Sequence, residues 1–236
     1  MLNETFYLDG IDARSVGIHL QAPIKFSESV PVVEAQTIPG RNGDLIFYTG
    51  SYENRDASAS CFCLQKDVEK AISSAGRFLM GKKGYRRLET SDDPDHYWMA
   101  RVENSPRIEQ RLRLLAPFEI GFDCKPQRFV KAGENAVVFT SNGSLFNQYG
   151  QIALPFITLY GQGAGTLTIG DCMVDIKTLD GTLYIDSDTQ NAYNGSVNQN
   201  MNINAPVFPV LADGEIPIVF SGGIERVEII PRWWEL

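Results

Sequence analysis

Histidine and cysteine are scarce in this chain, which holds two histidines and four cysteines among 236 residues. The cysteines show no Cys-x-x-Cys spacing, and with so few histidines available these residues do not make up a zinc site. We therefore expect the cysteines to be reduced thiols. The residues concerned are Cys61, Cys63, Cys124, Cys172, His19 and His96.

Long apolar runs are also missing, since no stretch approaches the roughly eighteen residues needed to span a bilayer. The segment from Met1 to Tyr7 has neither a basic n-region nor an apolar h-region, so we expect no secretory signal. These two absences predict a protein that does not enter a membrane and whose synthesis ends in a cytoplasm.

Basic residues are rare in the second half of the chain. Up to Lys131 there are 18 Lys and Arg against 18 Asp and Glu, and from Ala132 onward there are 3 against 11, which accounts for the net charge of −8. An acidic surface repels nucleic acid and anionic lipid, so we expect no direct binding of either. The balanced first half fits either ordinary solvated faces or subunit contacts that use charge pairs.

The hydrophobic pattern predicts a mainly β protein with one helix. Apolar residues fall at helical spacing from Lys66 to Met80, with Gly81 placed as a stop. Elsewhere the spacing has a period of two: the even positions other than Gln110 are apolar between Arg107 and Asp123, and odd positions are small between Ala57 and Leu64. The first of these segments is predicted to be one long half-buried strand or two in phase, and the second is predicted to be a strand.

A domain boundary is predicted near 126–135, where the charge balance changes, so that residues 1–130 and 131–236 form separate domains. In the second domain we expect seven short strands separated by turns at Asp180-Gly181, Asp213-Gly214 and Ser221-Gly-Gly223, which is typical of a β-sandwich. The strands are expected around Val137, Phe156, Leu167, Val174, Leu183, Ile218 and Val227.

Two segments of the second half resemble ligand-binding loops. Gly161-Gln-Gly-Ala-Gly165 follows an apolar strand, but Thr166 to Ile169 alternates like a strand where a nucleotide site needs a helix, so a hairpin turn is favoured. Asp186-Ser-Asp188 begins like a calcium loop, but Asn191 stands where glycine is required and Val197 where glutamate is required. We expect no cofactor or metal at either place.

Two segments of the first half carry dense charge. Asp92 to His96 has enough carboxylates for a hard cation, although a solvated turn is favoured. Lys82 to Arg87 is a basic patch that fits a phosphate, an acidic partner, an exposed loop or the negative end of the preceding helix. No nucleophile and base stand in a recognisable pattern, so we expect the protein not to be an enzyme and to have no catalytic residues.

Several segments resemble, in order along the chain, the distal tail proteins of long-tailed bacteriophages. They are Pro39-Gly-Arg-Asn-Gly-Asp-Leu45, Phe118-Glu-Ile-Gly-Phe-Asp-Cys-Lys-Pro-Gln127, Leu154-Pro-Phe-Ile-Thr-Leu-Tyr-Gly-Gln-Gly163, Phe208-Pro-Val-Leu-Ala-Asp-Gly214 and Pro231-Arg-Trp-Trp234. The resemblance covers essentially the whole chain, and its motifs are structural, so it implies no catalytic residue.

The resemblance implies a structural hub at the tail tip of a virion, assembled in the host cytoplasm. Members of the family form hexameric rings through an N-terminal β-sandwich-like domain with one helix, followed by a galectin-like C-terminal β-sandwich. The implied partners are further copies of the chain, the major tail protein, the tape-measure protein, the tail-associated hub protein and, in some phages, a receptor-binding protein.

Two groups of residues are candidates for assembly. Gly40, Arg41, Asn42, Gly43 and Asp44 are predicted to form a subunit-contact loop, with Arg41 and Asp44 as pairing groups. A simple hairpin tip explains Asn42-Gly43 equally well. The apolar C-terminal segment is predicted to dock into a sheet or a neighbour, with two tryptophans as its anchors in the domain core or the seam between domains. These are Trp233 and Trp234.

Two other functions stay open. A carbohydrate-binding module would present aromatic side chains such as Tyr160, Tyr184 and Tyr193 to sugar rings, although no galactoside-binding cluster is recognisable in the sequence. A wall-degrading hydrolase would use paired carboxylates such as Asp186 and Asp188.

Overall fold

The computed structural model describes residues 4–63, 68–103 and 116–236, which divide into two compact units, 1–128 and 129–235. This division lies beside the predicted boundary at 130/131. Mainly antiparallel β structure fills both units, and among the described residues there is one α-helix, as the sequence predicted. None of the described helices is long and apolar enough to cross a membrane.

In its described ranges the first unit contains ten strands and the helix. They are β1 (Phe6–Leu8), β2 (Ile11–Asp12), β3 (Ile18–Leu20), β4 (Lys25–Phe26), β5 (Pro31–Gln36), β6 (Leu45–Tyr52), β7 (Arg55–Cys63), α1 (Val68–Met80), β8 (Arg86–Thr90), β9 (His96–Val102) and β10 (Ala116–Val130), of which the last two residues belong to the second unit. The main sheet has the order β2-β1-β8-β9-β10-β7-β3, with β4 also paired to β7.

The alternation predicted from the sequence is confirmed in β7 and in the described part of β10. Small buried side chains of β7 lie opposite large buried ones of β10, so the two strands fill the core together. The opposed pairs are Ala57 with Phe122, Ala59 with Ile120 and Cys61 with Phe118. The predicted strand residues 107–115 lie outside the described part of the chain.

Helix α1 ends at Met80 as predicted, and its first predicted residues, 66 and 67, lie outside the described residues. Ala75, Phe78 and Leu79 are buried in the core of the first unit. At the end of the helix, the Gly81 N–H donates to the Arg77 carbonyl at 2.8 Å. Packing of this apolar stripe therefore holds the helix against the sheet.

The second unit contains nine strands. They are β11 (Val137–Phe139), β12 (Gly143–Asn147), β13 (Phe156–Ile169), β14 (Cys172–Asp186), β15 (Asn191–Asn194), β16 (Val197–Asn198), β17 (Ile203–Asn204), β18 (Gly214–Ile230) and β19 (Trp234–Glu235). Strands β11 to β18 form one antiparallel sheet in the order β11-β18-β13-β14-β15-β16, with β12 paired to β18 and β17 to β14.

The prediction of seven short strands is wrong, because six of them merge in pairs into β13, β14 and β18. The predicted turns at Asp180-Gly181 and Ser221-Gly-Gly223 lie inside strands, and Gly161 to Gly165 lies inside β13. The predicted hairpin turn at Gly161 to Gly165 is likewise wrong: the ladder shifts register there, as at a β-bulge. The strand that follows the glycines is confirmed, and no helix starts there.

The glycines let the long strands turn while both ends bury side chains in one core. Ile157 and Leu159 lie before the irregularity in β13, Leu167 and Ile169 lie after it, and all four are fully buried in the same cluster. The sheet therefore folds over on itself to give a sandwich around a single core, in agreement with the predicted fold class.

Candidate assembly surface and the C-terminal segment

Strands β5 and β6 form a separate two-stranded hairpin, which we call the arm (residues 31–52). The last strand pair is Gln36 with Leu45, so residues 37–44 make an eight-residue loop at its tip. Nearly every residue of the arm is exposed. An isolated hairpin is only marginally stable in water. We therefore expect another surface to pack against the arm and stabilise it.

One face of the arm is apolar. Val33 lies opposite Tyr48 and Ala35 lies opposite Ile46, which places all four side chains on the same side of the hairpin. Val33 is 44% exposed, Ile46 45% and Tyr48 74%, values typical of surface polar residues and not of packed hydrophobic ones. We call these four residues the apolar face of the arm.

The tip of the arm holds the five residues that the sequence singled out, so they do lie at a hairpin tip, and their role in subunit contact stays a prediction. Gly40 and Gly43 both have φ of +81° with open space around them, a conformation that other residues rarely adopt. Asp44 accepts a hydrogen bond from the Thr37 hydroxyl at 2.8 Å, so its carboxylate is used within the loop. Arg41 is exposed and has no ion-pair partner among the residues that the structure describes.

The first predicted tryptophan, Trp233, lies in the core of the second unit. It is 8% exposed and packs beside Tyr149, with 6.1 Å between the ring centroids. Its carbonyl accepts a hydrogen bond from the Val130 N–H at 2.9 Å, and a Cβ at Gly133 would overlap with its backbone. The C-terminal segment is thus held against the start of its own unit.

The residues on either side of Trp233 add polar contacts. The Trp234 indole N–H donates to the Ile152 carbonyl at 2.9 Å, while its ring is half-buried. Arg232 pairs with Asp186 at 2.7 Å, and this contact outweighs partial burial and lowers the pKa of the Asp186 carboxyl. A general acid requires a raised pKa, so this environment does not suit Asp186 to acid catalysis.

The basic patch at 82–87 is paired within its own unit. Asp9 accepts hydrogen bonds from Lys82 at 2.8 Å and from Arg86 at 3.0 Å, and Arg86 also donates to the Phe78 carbonyl at 2.6 Å. Phe78 lies in the last turn of α1, so the helix-end interpretation of this patch is confirmed. The structure does not favour phosphate binding by Lys82 and Arg86, because both side chains already donate to Asp9.

In the acidic turn at 92–96, Asp93 is also paired with side chains of its own unit. The Asp93 carboxylate accepts hydrogen bonds from Arg128 and lies 2.7 Å from His96 Nδ1. Within the described ranges no three His, Cys, Asp or Glu side chains are placed to bind a metal ion. All four cysteines are free thiols, as expected, and burial raises the pKa of Cys61 and of Cys124 to about 12.

Neither a protein-family model nor a curated protein matches this sequence. Among solved structures, the chain is similar to the crystal structure of the SPP1 Dit protein (gp 19.1), with a TM-score of 0.73 over 96% of this chain and 98% of that one. This chain has the Dit fold. The SPP1 protein is described as a paradigm of the hub adsorption apparatus in phages that infect Gram-positive bacteria, and 13% of residues are identical.

The Dit fold confirms the resemblance that the sequence motifs indicated, and it extends over nearly the whole chain. At 13% identity the likeness is one of fold. The motifs lie at structurally constrained places: 39–45 at the tip of the arm, 118–127 in β10, and 231–234 where the chain returns to the core of the second unit. The apolar face of the arm was missed, although Val33 and Ile46 flank the glycine loop in the sequence.

Proposed function

We propose that this chain is a structural component of a phage tail tip, where six copies close into a ring that connects the tail tube to the host-adhesion device. The observation that carries this proposal is the Dit fold together with an exposed arm that has an apolar face. By the same resemblance, the ring would contact the major tail protein, the tape-measure protein, the tail-associated hub protein and a receptor-binding protein.

The arm supplies the contact that closes the ring. A cyclic assembly needs two different surfaces per copy, one of which reaches the next copy in the same rotational sense. An extended hairpin with Val33, Ile46 and Tyr48 on one side suits such a contact, because these side chains lose water only when a neighbour covers them. Arg41 and the two glycines, at the tip of the arm, would contact the next copy at the end of the arm that lies farthest from its own unit.

The remaining parts have supporting roles under this proposal. Trp233 and Trp234 anchor the C-terminal segment in the second unit, which projects from the ring as a galectin-like sandwich. The acidic charge of the second half keeps these projecting units apart in the ring, since like charges repel. Assembly would take place in the host cytoplasm, and the mature protein would be found at the virion tail tip.

Electron microscopy of the purified chain tests the proposal. We expect six-fold annular particles for the unaltered protein, and we expect Tyr48→Ser to abolish them because it removes the largest exposed ring from the apolar face. Phe146→Ser is the matched control, since Phe146 is 66% exposed on β12 of the other unit. Its rings should stay intact.

Two results would contradict the proposal. The ring itself is wrong if particles of another symmetry form. The role of the arm is wrong if Tyr48→Ser leaves the annuli unchanged, or if Phe146→Ser disrupts them to the same degree while both variants keep the unaltered melting temperature.

A further inference from the structure

A cavity of about 370 Å³ opens in the second unit between β14, the β15–β16 ribbon and the short 3₁₀ helix Asn200–Asn202. Its volume lies in the range of small-molecule sites. The lining combines amides, hydroxyls and one carboxylate with apolar surface from Leu179, Leu183 and Met201, the last of which is 85% exposed. Its polar members include Thr178, Asp180, Thr182, Asn194 and Gln199.

The wall of the cavity is held by asparagine side chains. Asn202 accepts a hydrogen bond from the Thr178 N–H at 3.0 Å and donates to the Thr178 carbonyl, which ties the helix to β14. Asn198 donates to Asn191 at 2.9 Å and accepts from the Asn200 N–H at 3.0 Å. The backbone around the cavity is therefore fixed before any ligand arrives, which lowers the cost of binding.

Other polar groups of the cavity are left available. The side chains of Asn194, Gln199, Asp180 and Thr182 make no hydrogen bond to any other described residue. Each amide offers two donor hydrogens and one acceptor oxygen, and the hydroxyl both donates and accepts. Such a set matches the vicinal hydroxyl groups of a sugar, which also donate and accept at closely spaced positions.

Aromatic side chains continue from the cavity across the sheet. Tyr193 lies opposite Asn198 on one side and opposite Tyr184 on the other, with 5.4 Å between the two tyrosine rings, and Phe156 lies 5.9 Å beyond Tyr184. Tyr193 shares a sheet face with Asn198, which lines the cavity, while the aromatic rings themselves lie outside the lining. The apolar surface of the lining comes from Leu179, Leu183 and Met201, and a saccharide site combines such apolar surface with a few convergent polar groups.

The charge of the second unit disfavours an anionic ligand. Asp180 lines the cavity, and the chain from Ala132 onward carries 3 basic against 11 acidic residues. The nearest lysine, Lys177, donates its ammonium hydrogen to the Met201 carbonyl at 2.8 Å. A phosphate or carboxylate would be repelled here.

We propose that the second unit binds a neutral saccharide of one or two rings in this cavity. The ring-forming role of the first unit does not depend on this site, so the two proposals fail separately. Polar contacts from Asn194 and Gln199 orient the sugar, and Leu179, Leu183 and Met201 supply the apolar part of the lining.

Saturation-transfer NMR with the full-length chain tests the site, using glucose, galactose, N-acetylglucosamine and their β-linked disaccharides as probes. We expect at least one of them to bind and to shift the methyl resonance of Met201, which Met201→Leu identifies. The double variant Asn194→Ala/Gln199→Ala should weaken that binding about tenfold, because it removes hydrogen bonds to the sugar. The matched control is Asn135→Ala/Gln148→Ala, two exposed residues outside the cavity lining.

The site is wrong if none of these sugars gives saturation transfer at about 10 mM. It is also wrong if a bound sugar leaves the Met201 resonance unmoved, or if the cavity variant and the control bind it equally well. Stronger binding of glucuronate than of glucose would contradict the charge argument.

Discussion

At Gly223, in the middle of β18, the backbones of two long strands come into close contact. A Cβ placed at Gly223 would overlap with the backbone carbonyl oxygen of Gln162 in β13, and one at Gly161 would overlap with the Gly223 carbonyl oxygen. Because backbone atoms cannot move aside as a side chain can, these two glycines are required for the close approach of β13 and β18 at the irregular part of their ladder.

We therefore expect Gly223→Ala to lower the free energy of unfolding by about 1–3 kcal/mol or more. Gly76→Ala is the contrasting variant: Gly76 lies in α1 with open space at its Cβ position, so alanine there should raise the free energy of unfolding by about 0.5–1 kcal/mol. Urea denaturation measures both. Equal effects of the two variants would refute the close contact at Gly223.

A second residue-scale prediction concerns pH and Asp9. Partial burial raises the pKa of this carboxyl, but the hydrogen bonds from Lys82 and Arg86 outweigh burial and lower it below the ordinary 3.8. A lowered pKa contributes stability that is present above the ordinary value and is lost as the pH falls through the folded-state value. Asp9 has φ of +52°, which asparagine also tolerates.

Asp9→Asn should accordingly lower the free energy of unfolding by on the order of 1–2 kcal/mol at neutral pH. Well below pH 3.8 the difference from the unaltered protein should shrink, since the native carboxyl is then neutral as well. Denaturant curves at several pH values check this. A difference that stays constant with pH would show that the charge of Asp9 does not stabilise the fold.

The burial of individual residues was predictable from the sequence where the apolar residues recur at the period of a strand or a helix. The buried odd positions of 57–63 follow from strand alternation, and their small size predicts a close neighbour. The contact of Asp9 with Arg86 could not be predicted, because the two residues are 77 apart in sequence and a surface charge pattern does not specify its partner.

Among the elements, the arm is the one whose stability is expected to depend on assembly. Its β5–β6 ladder pairs with no third strand of the described residues, and the amides of an isolated hairpin open readily. We expect fast hydrogen exchange across 31–52 in the dissociated chain and strong protection in the assembled ring.

The amides of β7 serve as the internal control for that experiment, since this strand is paired on both sides by β10 and β3. They should be protected in either state. Slow exchange of the arm in the monomer would show that it is already packed within one copy, which would remove the basis for its role between copies.

Strand lengths were the part of the fold that the sequence predicted least well. An Asp-Gly dipeptide such as Asp180-Gly181 ordinarily marks a turn. Here Gly181 has φ of +79° but lies inside β14, opposite Gly161 of β13. Whether glycine ends a strand or bends it depends on the neighbouring strand, which local sequence does not reveal. The helix was predictable because its apolar stripe and its stop are both local signals.

At the scale of the whole molecule, we propose that a neighbouring copy covers the exposed arm. The order of the sequence motifs was enough to indicate the Dit fold, which the structure confirms. The apolar face required the structure, because it depends on the register of β5 against β6.

Sedimentation of the purified chain over a wide range of concentrations tests this central claim most directly. We expect a species of six times the 26.2 kDa chain mass, about 157 kDa, in equilibrium with monomer at low concentration. A chain that sediments as a 26.2 kDa monomer at every concentration, alone and when mixed with its tail neighbours, would contradict the ring.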